Sequence, residues 1–445
     1  MKYFSRFFLS SLKPFFGLNF PIFVIMEARE KIVIVGGGFA GLQLARTLNN
    51  KRKKVMVIDK VNHHMFQPLF YQVACGRIEP SNISFPFRKI FQRSHNIQYR
   101  LADVQQIIPE QNKIITADSE FTYDKLVLAT GCKTNYFGNK KMEKLTFGMK
   151  TTQEAISIRN HVLLTFEKLI SERRRTDDGN WNIVIVGSGP TGVELAGAFA
   201  EMKKDILPRD YPHMNFNDLK IILISSTETP LQTMSEEAQQ KADEYLKELG
   251  VIFMRDEMVT DYNGDFVSTE SGKTIPANNV IWAAGVTGNI IAGINPENII
   301  RNRFVTDRYN RVKGYDNIFA IGDIAHMETP KYPAAHPQVA NVAINQGKNL
   351  GRNILKKNLK EWEEFEYIDR GSMATIGKHR AVVDLPNLKF QGLLAWYFWM
   401  FLHLMLILSV RNKVAIFLNW MWSYLNKDSS LRLIIIPTKK NNTEQ

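Results

Sequence analysis

The chain has 445 residues and a formal net charge of +13, with 44% hydrophobic and 23% charged residues. At about 150 residues per domain, this length predicts roughly three folding units, and the composition excludes a disordered, collagen-like or multi-pass membrane protein. The two cysteines, Cys75 and Cys132, form no CxxC pair. This excludes a disulfide framework, a structural zinc site and an iron-sulfur centre, and it indicates a reduced, intracellular protein.

The N-terminal segment, residues 1–26, has three basic residues, no acidic residue and an apolar run broken by Pro21. A secretory signal is disfavoured because a strand follows where a small-residue cleavage site would be needed. A targeting or membrane-touching arm stays open. We favour translation that starts at Met26, because MEAREKIVIVGGG is how a dinucleotide-binding domain usually opens.

An internal repeat predicts two copies of one fold. The segment IVIVGGGFAGLQLA at 32–45 recurs as IVIVGSGPTGVELA at 183–196, and LVLATG at 126–131 recurs as VIWAAG at 280–285. Each copy begins with a short Ile/Val run typical of a parallel strand buried on both faces, followed by a glycine turn and a helix. These features predict an α/β protein with two Rossmann-like dinucleotide-binding domains.

The first glycine turn has the full context of a dinucleotide site. Gly36, Gly38 and Gly41 follow the first strand, and Asp59 closes the next strand. The first glycine permits the tight turn, the second lets the backbone approach a pyrophosphate, and the third lets helix and strand pack closely. The helix N-terminus stabilises the phosphate charge, and the aspartate can hold a ribose hydroxyl.

A second turn of the same kind contains Gly187, Gly189 and Gly192. It predicts a second dinucleotide, and two dinucleotides indicate electron transfer between them. The ATG at 129–131 and the Gly-Asp pair at 322–323 follow later strands, at the sheet edge where ligands bind.

The C-terminal part of the chain combines positive charge with apolar surface. Residues 386–445 carry seven Lys/Arg against two acidic residues and surround the most apolar stretch, 390–425. This pattern favours an anionic membrane as the partner, and no zinc-finger spacing, RNP-like string or basic zipper points to nucleic acid.

Residues 392–410 carry no charge and would be roughly 28 Å long as a helix, enough to span a bilayer. Interfacial tryptophans, His403 and a basic turn at 411–413 instead favour a segment lying flat on the membrane.

These motifs together resemble the type II NADH dehydrogenases, which are single-subunit, non-electrogenic NADH:quinone oxidoreductases. The resemblance covers nearly everything after Met26. It implies a glutathione-reductase-like flavoprotein fold with a C-terminal amphipathic helical membrane-docking segment. The segments that carry the resemblance are HHMFQPLFYQVACGRIEPSNISFPFR (63–88), LVLATGCKTNYFG (126–138), VIWAAGV (280–286), AIGD (320–323), HPQVANVAINQG (336–347) and FQGLLAWYFWMFLHLMLILSVRNKVAIFLNWMWSYL (390–425).

The resemblance also implies a domain organisation and a set of site residues. The domains are an N-terminal extension (1–26), an FAD-binding domain in two parts (27–147, and 286–385 with the quinone-site helix), an inserted NADH-binding domain (148–285), membrane-anchoring helices (386–436) and a polar tail (437–445). Non-covalent FAD would contact Gly36, Gly38, Phe39, Ala40, Gly41, Asp59, Lys60, Gln67, Ala129, Thr130, Gly131, Gly322, Asp323, Gln338 and Val339. NADH, as substrate, would contact Gly187, Gly189, Pro190, Thr191, Gly192, Ser225, Ala284 and Gly285. The implied catalytic residues are Glu194, Gln346 and Asn341, and no metal is expected.

Four residues bear on catalysis and on selectivity. Glu194 matches an acidic residue that the family places beside nicotinamide and flavin, where we expect the helix dipole to stabilise its carboxylate. Two roles stay open for this carboxylate: to orient the nicotinamide, or to relay protons to the quinone. Ser225 stands where the family usually has a Glu that repels a 2′-phosphate, although no Arg or Lys lies at 224–229 to attract one. Asn341 and Asn345 replace the family's usual glutamines, so the quinone contacts do not transfer directly.

The implied activity is hydride transfer from NADH to FAD, followed by reduction of a membrane quinone without proton pumping. The enzyme would be peripheral, on the cytoplasmic face of the inner membrane, and a homodimer stays open. Two alternatives remain: another FAD/NAD(P)H oxidoreductase of the ferredoxin or sulfide:quinone type, and a non-catalytic, membrane-docked flavoprotein that binds NADH.

Overall fold

The computed structural model describes residues 29–171, 179–426 and 431–435. The N-terminal extension and the polar tail lie outside these ranges. The strands are β1 (Lys31–Val35), β2 (Lys54–Asp59), β3 (His63–Met65), β4 (Ser84–Pro86), β5 (Ile97–Leu101), β6 (Val104–Ile108), β7 (Lys113–Thr116), β8 (Glu120–Thr122), β9 (Lys125–Leu128), β10 (Cys132–Thr134), β11 (Ile183–Val186), β12 (Ile221–Ile224), β13 (Ile252–Met254), β14 (Val259–Tyr262), β15 (Phe266–Thr269), β16 (Thr274–Pro276), β17 (Asn279–Trp282), β18 (Val286–Gly288), β19 (Ile299–Ile300), β20 (Arg303–Val305), β21 (Ile318–Ala320), β22 (Ala325–His326), β23 (Ser372–Thr375), β24 (Ala381–Leu385) and β25 (Leu388–Gln391). The helices are α1 (Phe39–Thr47), α2 (Phe70–Ala74), α3 (Phe87–Ile90), α4 (Lys140–Leu145), α5 (Thr152–Ser171), α6 (Pro190–Glu201), α7 (Leu207–Asp210), α8 (Glu236–Glu248), α9 (Ala340–Leu355), α10 (Leu393–Leu406) and α11 (Val410–Asn426).

The first repeat unit forms a five-stranded parallel sheet in the order β21-β9-β1-β2-β5. Four of the five residues of β1 are buried, and they contribute to two different apolar clusters, one on each face of the sheet. A strand covered on both faces is continuously apolar, which is why the Ile/Val run predicted it. Strand β21, far along the chain, returns to complete this sheet.

The second repeat unit forms a four-stranded parallel sheet in the order β13-β12-β11-β17, in which β11 is wholly buried. Strands β10 and β18 pair antiparallel where the chain leaves the first sheet and returns to it. The second sheet is therefore an insertion within the first. The numerical domain limits given above stay predictions.

In each glycine turn, some glycines are needed because backbone atoms pack too closely for a side chain, and one glycine leaves space for a ligand. In the second unit Gly187 has φ +105°, and a Cβ on Gly192 would lie 1.9 Å from the Gly187 carbonyl oxygen. In contrast, a Cβ on Gly189 would meet no atom within 4 Å. The first unit repeats this arrangement, with 1.9 Å between a Gly41 Cβ and the Gly36 oxygen and open space beside Gly38.

Helix α9 crosses α1 at short distance because glycines line the contact. A Cβ on Gly347 would lie 2.5 Å from the Ala40 carbonyl oxygen, and one on Gly351 would lie 2.7 Å from a Thr47 methyl group. The two glycines are four residues apart and so share one helix face. This approach brings Gln346 of α9 into the first unit.

The C-terminal segment is a three-stranded antiparallel sheet, β23-β24-β25, followed by helices α10 and α11. Trp396, Trp399 and Trp420 are buried against the body of the protein, whereas Leu394 and Phe401 are 75% and 64% exposed.

The predicted turn at 411–413 is wrong: the helical structure is interrupted at 407–409, and the basic residues lie in the first turn of α11. Helix α10 has 14 residues, about 21 Å. No helix in the described part of the chain has the length and apolar character needed to cross a membrane.

A prediction follows from the contrast between Gly192 and Gly189. Gly192→Ala should unfold at lower temperature and lower denaturant concentration, with a loss of about 1–3 kcal/mol, because its methyl group must displace backbone. Gly189→Ala should keep normal stability and lose affinity for the dinucleotide instead. Thermal unfolding and dinucleotide titration of both variants test this, and equal stability of the two would contradict it.

Candidate functional site

The first glycine turn lies against the carboxyl edge of the first sheet, beside Asp59 and His64. The Asp59 carboxylate accepts hydrogen bonds from the backbone N–H groups of Gly37 (2.6 Å) and Val61 (2.9 Å). These two bonds fix the carboxylate and leave lone pairs free for a ribose hydroxyl. Nδ1 of His64 donates to the Gly37 carbonyl oxygen at 3.0 Å, and burial lowers the pKa of this histidine to about 4. The Asp59 carboxyl group and the neutral His64 ring therefore hold the turn at its Gly37 N–H and its Gly37 carbonyl oxygen, respectively.

A cavity of about 450 Å³ opens beside this turn. Its walls include Gly36, Asp59, Lys60 and Thr130, all of which the sequence predicted as cofactor contacts. The hydroxyl of Thr130 donates to the carbonyl oxygen of Asn289, another wall residue, at 2.7 Å. An open backbone at Gly38, an oriented carboxylate and an adjoining cavity fit the nucleotide half of a dinucleotide.

The Gly322–Asp323 turn is held by three side chains. The amide oxygen of Gln346 accepts from the Gly322 N–H at 2.6 Å, and Nε2 of Gln338 donates to the Asp323 carbonyl oxygen at 2.9 Å. The Cys132 thiol donates to Oδ2 of Asp323 at 2.9 Å. Burial and the adjacent carboxylate raise the pKa of this thiol to about 12, so it remains protonated and unreactive. Gln346, predicted as catalytic, here uses its amide oxygen to shape the turn.

The second glycine turn adjoins a cluster of hydroxyl groups at the end of β12. The Ser188 hydroxyl donates to Oγ of Ser225 at 2.8 Å, and Oγ1 of Thr227 lies 2.8 Å from Oγ of Ser225 and 3.1 Å from Oγ of Ser188. Ser225 is 6% exposed. Three neutral hydroxyls thus occupy the position beside the turn where a carboxylate was expected from the family.

Glu194 lies on α6, five positions into the helix, where α2 and β23 pack against it. Its Oε1 is 3.5 Å from the Thr375 backbone nitrogen. Burial raises the pKa of the Glu194 carboxyl to about 8, and the Thr375 N–H lowers it only in part. The helix dipole, which we expected to stabilise the carboxylate, acts mainly within the first turn, and desolvation outweighs it here.

The remaining predicted residues separate into three groups. Pro190 and Thr191 begin α6 at the second turn, and Ala284 and Gly285 follow β17 beside it. Phe39 and Ala40 begin α1, and Gln67 begins a short helical turn before α2. Ala129 and Gly131 follow β9, Val339 precedes α9, and Asn341 is exposed in its first turn. The contacts expected of these residues with cofactor or quinone stay predictions.

Sequence reasoning missed His64, Cys132 and Thr375 as parts of these sites. The first two lie inside the segments 63–88 and 126–138, which carried the resemblance, so the segments marked the right places without showing the contacts. Thr375 had no local signal, because its proximity to Glu194 depends on packing between residues 181 positions apart.

Comparison with known proteins agrees with this architecture. The pyridine nucleotide-disulphide oxidoreductase family matches residues 30–347, and the NDH2 C-terminal domain matches residues 370–427. A type II NADH:quinone oxidoreductase, Ndh, from Mycobacterium tuberculosis is 32% identical over 421 residues, covering 89% of each chain. A probable NADH dehydrogenase from Dictyostelium discoideum is 27% identical, over 88% of this chain and 89% of that protein.

Two solved structures share the fold. NDH2 from Plasmodium falciparum, in complex with NADH, superposes with a TM-score of 0.85 at 20% identity, over 92% of this chain and all of that one. The sulfide:quinone oxidoreductase of Aquifex aeolicus gives 0.66 at 19% identity, over 90% and 92% of the two chains. The chain belongs to the pyridine nucleotide-disulphide oxidoreductase family and, within it, to the type II NADH:quinone oxidoreductases. The predicted fold class and the resemblance are both confirmed.

The hydroxyl cluster makes a prediction about dinucleotide selectivity. Ser225→Glu should weaken binding of NADPH relative to NADH by about 1–3 kcal/mol, because a carboxylate would be buried beside the 2′-phosphate. Ser226→Glu is the matched control, since that neighbouring residue is exposed and adds the same charge outside the cluster. The ratio of kcat/KM for the two dinucleotides is the measurement. An unchanged ratio in Ser225→Glu, or the same change in Ser226→Glu, would contradict the assignment.

Proposed function

We propose that this protein oxidises NADH and reduces a membrane quinone through non-covalently bound FAD, without pumping protons. Bound flavin would supply the redox chemistry: it would take a hydride from NADH and, with one further proton from the solvent, pass two electrons and two protons to the quinone. The first unit would hold FAD through the turn at Gly38, the Asp59 carboxylate and the turn at Asp323. The second unit would hold NADH at the turn around Gly189.

The observation that carries this proposal is the position of Glu194. Its helix starts at the second dinucleotide turn, and its carboxyl is buried where α2 and β23 meet α6. A carboxyl whose pKa is about 8 is mostly protonated at neutral pH, so it can donate a proton and regain it from water. Such a group suits a reaction in which the quinone gains protons.

The alternatives on the same scaffold need chemistry that these residues lack. Dithiol and sulfide reactions use reactive cysteine thiolates, whereas burial raises the pKa values of both Cys75 and Cys132. A ferredoxin-type reductase has no need of the apolar face on α10 and α11. These points support the quinone reaction over its alternatives.

The role of Glu194 leads to a prediction about pH. Quinone reduction should fall as pH rises through about 8, because the carboxyl loses the proton that it donates. Glu194→Gln should remove this dependence and slow turnover about ten- to a hundred-fold, or about 1.4–2.8 kcal/mol, while FAD content stays normal. The control is Glu237→Gln, which removes an exposed carboxylate on α8. An unchanged pH profile in Glu194→Gln would contradict the role.

We further propose that the protein docks on one leaflet of the inner membrane, on its cytoplasmic face, through the apolar face of α10 and α11. Leu394, Phe401, Val410 and Trp422 are each more than three-fifths exposed on these helices. Exposed apolar side chains of this number mark a partner surface, and the exposed Arg411 beside them suits anionic headgroups. The quinone would then reach the flavin from the membrane side.

Docking is tested by the double variant Leu394→Asp/Phe401→Asp. It should lose binding to phosphatidylglycerol vesicles by about 100-fold or more, because two apolar side chains contribute about 1.5–3 kcal/mol each when buried. It should still reduce a soluble acceptor with NADH. Leu359→Asp is the control, since Leu359 is 65% exposed outside these helices. Vesicle binding equal to that of the unchanged protein would refute docking through this face.

A further inference from the structure

Hydrogen bonds connect α11 with Thr375, and the backbone of Thr375 continues the connection to Glu194. Nε1 of Trp420 donates to Oε1 of Gln72 at 2.8 Å, and Nε2 of Gln72 donates to the hydroxyl of Tyr71 at 2.9 Å. That hydroxyl lies 2.9 Å from Oγ1 of Thr375, whose backbone nitrogen is 3.5 Å from Oε1 of Glu194. The chain of contacts joins four segments that are distant in sequence: α11, α2, β23 and α6.

The connecting groups are all secluded from water. Trp420, Gln72, Tyr71 and Thr375 are 4%, 6%, 4% and 2% exposed, respectively. Their polar atoms are satisfied by one another, so removing one partner leaves a buried donor or acceptor unpaired at a cost of about 1–3 kcal/mol. The network therefore fixes the relative positions of these segments more strongly than apolar packing alone.

The direction of each hydrogen bond in the network follows from the indole N–H of Trp420 on α11. An indole N–H can only donate, so Trp420 fixes the carbonyl side of the Gln72 amide. The amide nitrogen of Gln72 must then face Tyr71 and donate to it. This leaves the tyrosine proton to be donated to the Thr375 hydroxyl. Every bond after the indole depends on the one before it.

We propose that Trp420, Gln72 and Tyr71 are positioning residues for Glu194. They position it by holding the Thr375 backbone N–H against Oε1. The position of the docking helix α11 then sets the distance between the Glu194 carboxyl and its backbone donor at Thr375. The inference rests on the proposed role of Glu194 and adds to it that the C-terminal helices complete the proton-donating site as well as contacting the membrane. None of the three residues touches Glu194 through a hydrogen bond of its own.

The charged and titratable groups around Glu194 are few among the described residues. Tyr71 faces it from α2 and stays protonated, because burial raises its pKa. His403 of α10 packs against Trp399, and burial lowers its pKa to about 4, so it stays neutral. Two turns farther along α6, Glu201 is paired with Arg77 and with the Lys378 backbone N–H. A change in the titration near pH 8 that disappears in Glu194→Gln therefore reports on Glu194.

The test uses Trp420→Phe and Tyr71→Phe in the flavin-loaded protein. Each should shift the midpoint of the pH profile for reduction of a short-chain quinone upward by about half a unit or more, because the carboxylate loses the Thr375 donor. Tyr123→Phe is the matched control, since the Tyr123 hydroxyl is buried without a hydrogen-bond partner in the described part of the chain. Removing it should leave the midpoint in place. Should Trp420→Phe fail to fold, Tyr71→Phe, which removes a single oxygen atom, decides.

Combination with Glu194→Gln separates the possible failures. If the inference holds, Trp420→Phe shifts the midpoint in the unchanged background and has no pH-dependent effect once Glu194 is replaced. If Glu194→Gln alone keeps the pH profile, the proposed role of Glu194 is wrong. If Glu194→Gln removes the profile while Trp420→Phe and Tyr71→Phe leave the midpoint unchanged, the positioning role is overturned. A shift of equal size in Tyr123→Phe overturns it too.

Discussion

The position of helix α6 is the constraint on which the rest of the structure depends. At its start, Gly192 comes so close to the Gly187 carbonyl oxygen that no side chain fits between them. Farther along, α2 and β23 pack against it, and in its second half a methyl group on Gly197 would lie 2.7 Å from the Gly377 nitrogen. A helix fixed at this many points carries Glu194 in one place relative to both dinucleotide turns. Because the carboxyl is buried there, its pKa is set by the fold.

The two repeat units share one design and differ in the groups that face the ligand. The first unit offers Asp59, whose carboxylate is oriented by two backbone N–H groups. The second unit offers the hydroxyls of Ser188, Ser225 and Thr227, which carry no charge. The duplicated fold thus places a carboxyl group beside one glycine turn and three hydroxyl groups beside the other.

The sequence predicted the features that depend on local spacing. The glycine turns, the buried strands and Asp59 follow from steric and periodic rules that act within about 30 residues, and the structure agrees at these positions. It did not predict contacts made by packing between distant segments, such as the Trp420 bond to Gln72 across 348 residues. It also misplaced the break between α10 and α11, because charge suggested a turn where the first helical residues of α11 lie. For Glu194, the helix dipole is visible in sequence but burial is not, and burial decides its pKa.

The central claim is that electrons pass from NADH through the bound flavin to a quinone. Anaerobic addition of NADH to the purified yellow protein, followed by a quinone, tests it most directly. The account predicts that NADH bleaches the flavin absorbance and that the quinone then restores it. A flavin that NADH fails to bleach, or one that stays bleached after the quinone is added, would contradict the account and favour a binding protein without turnover.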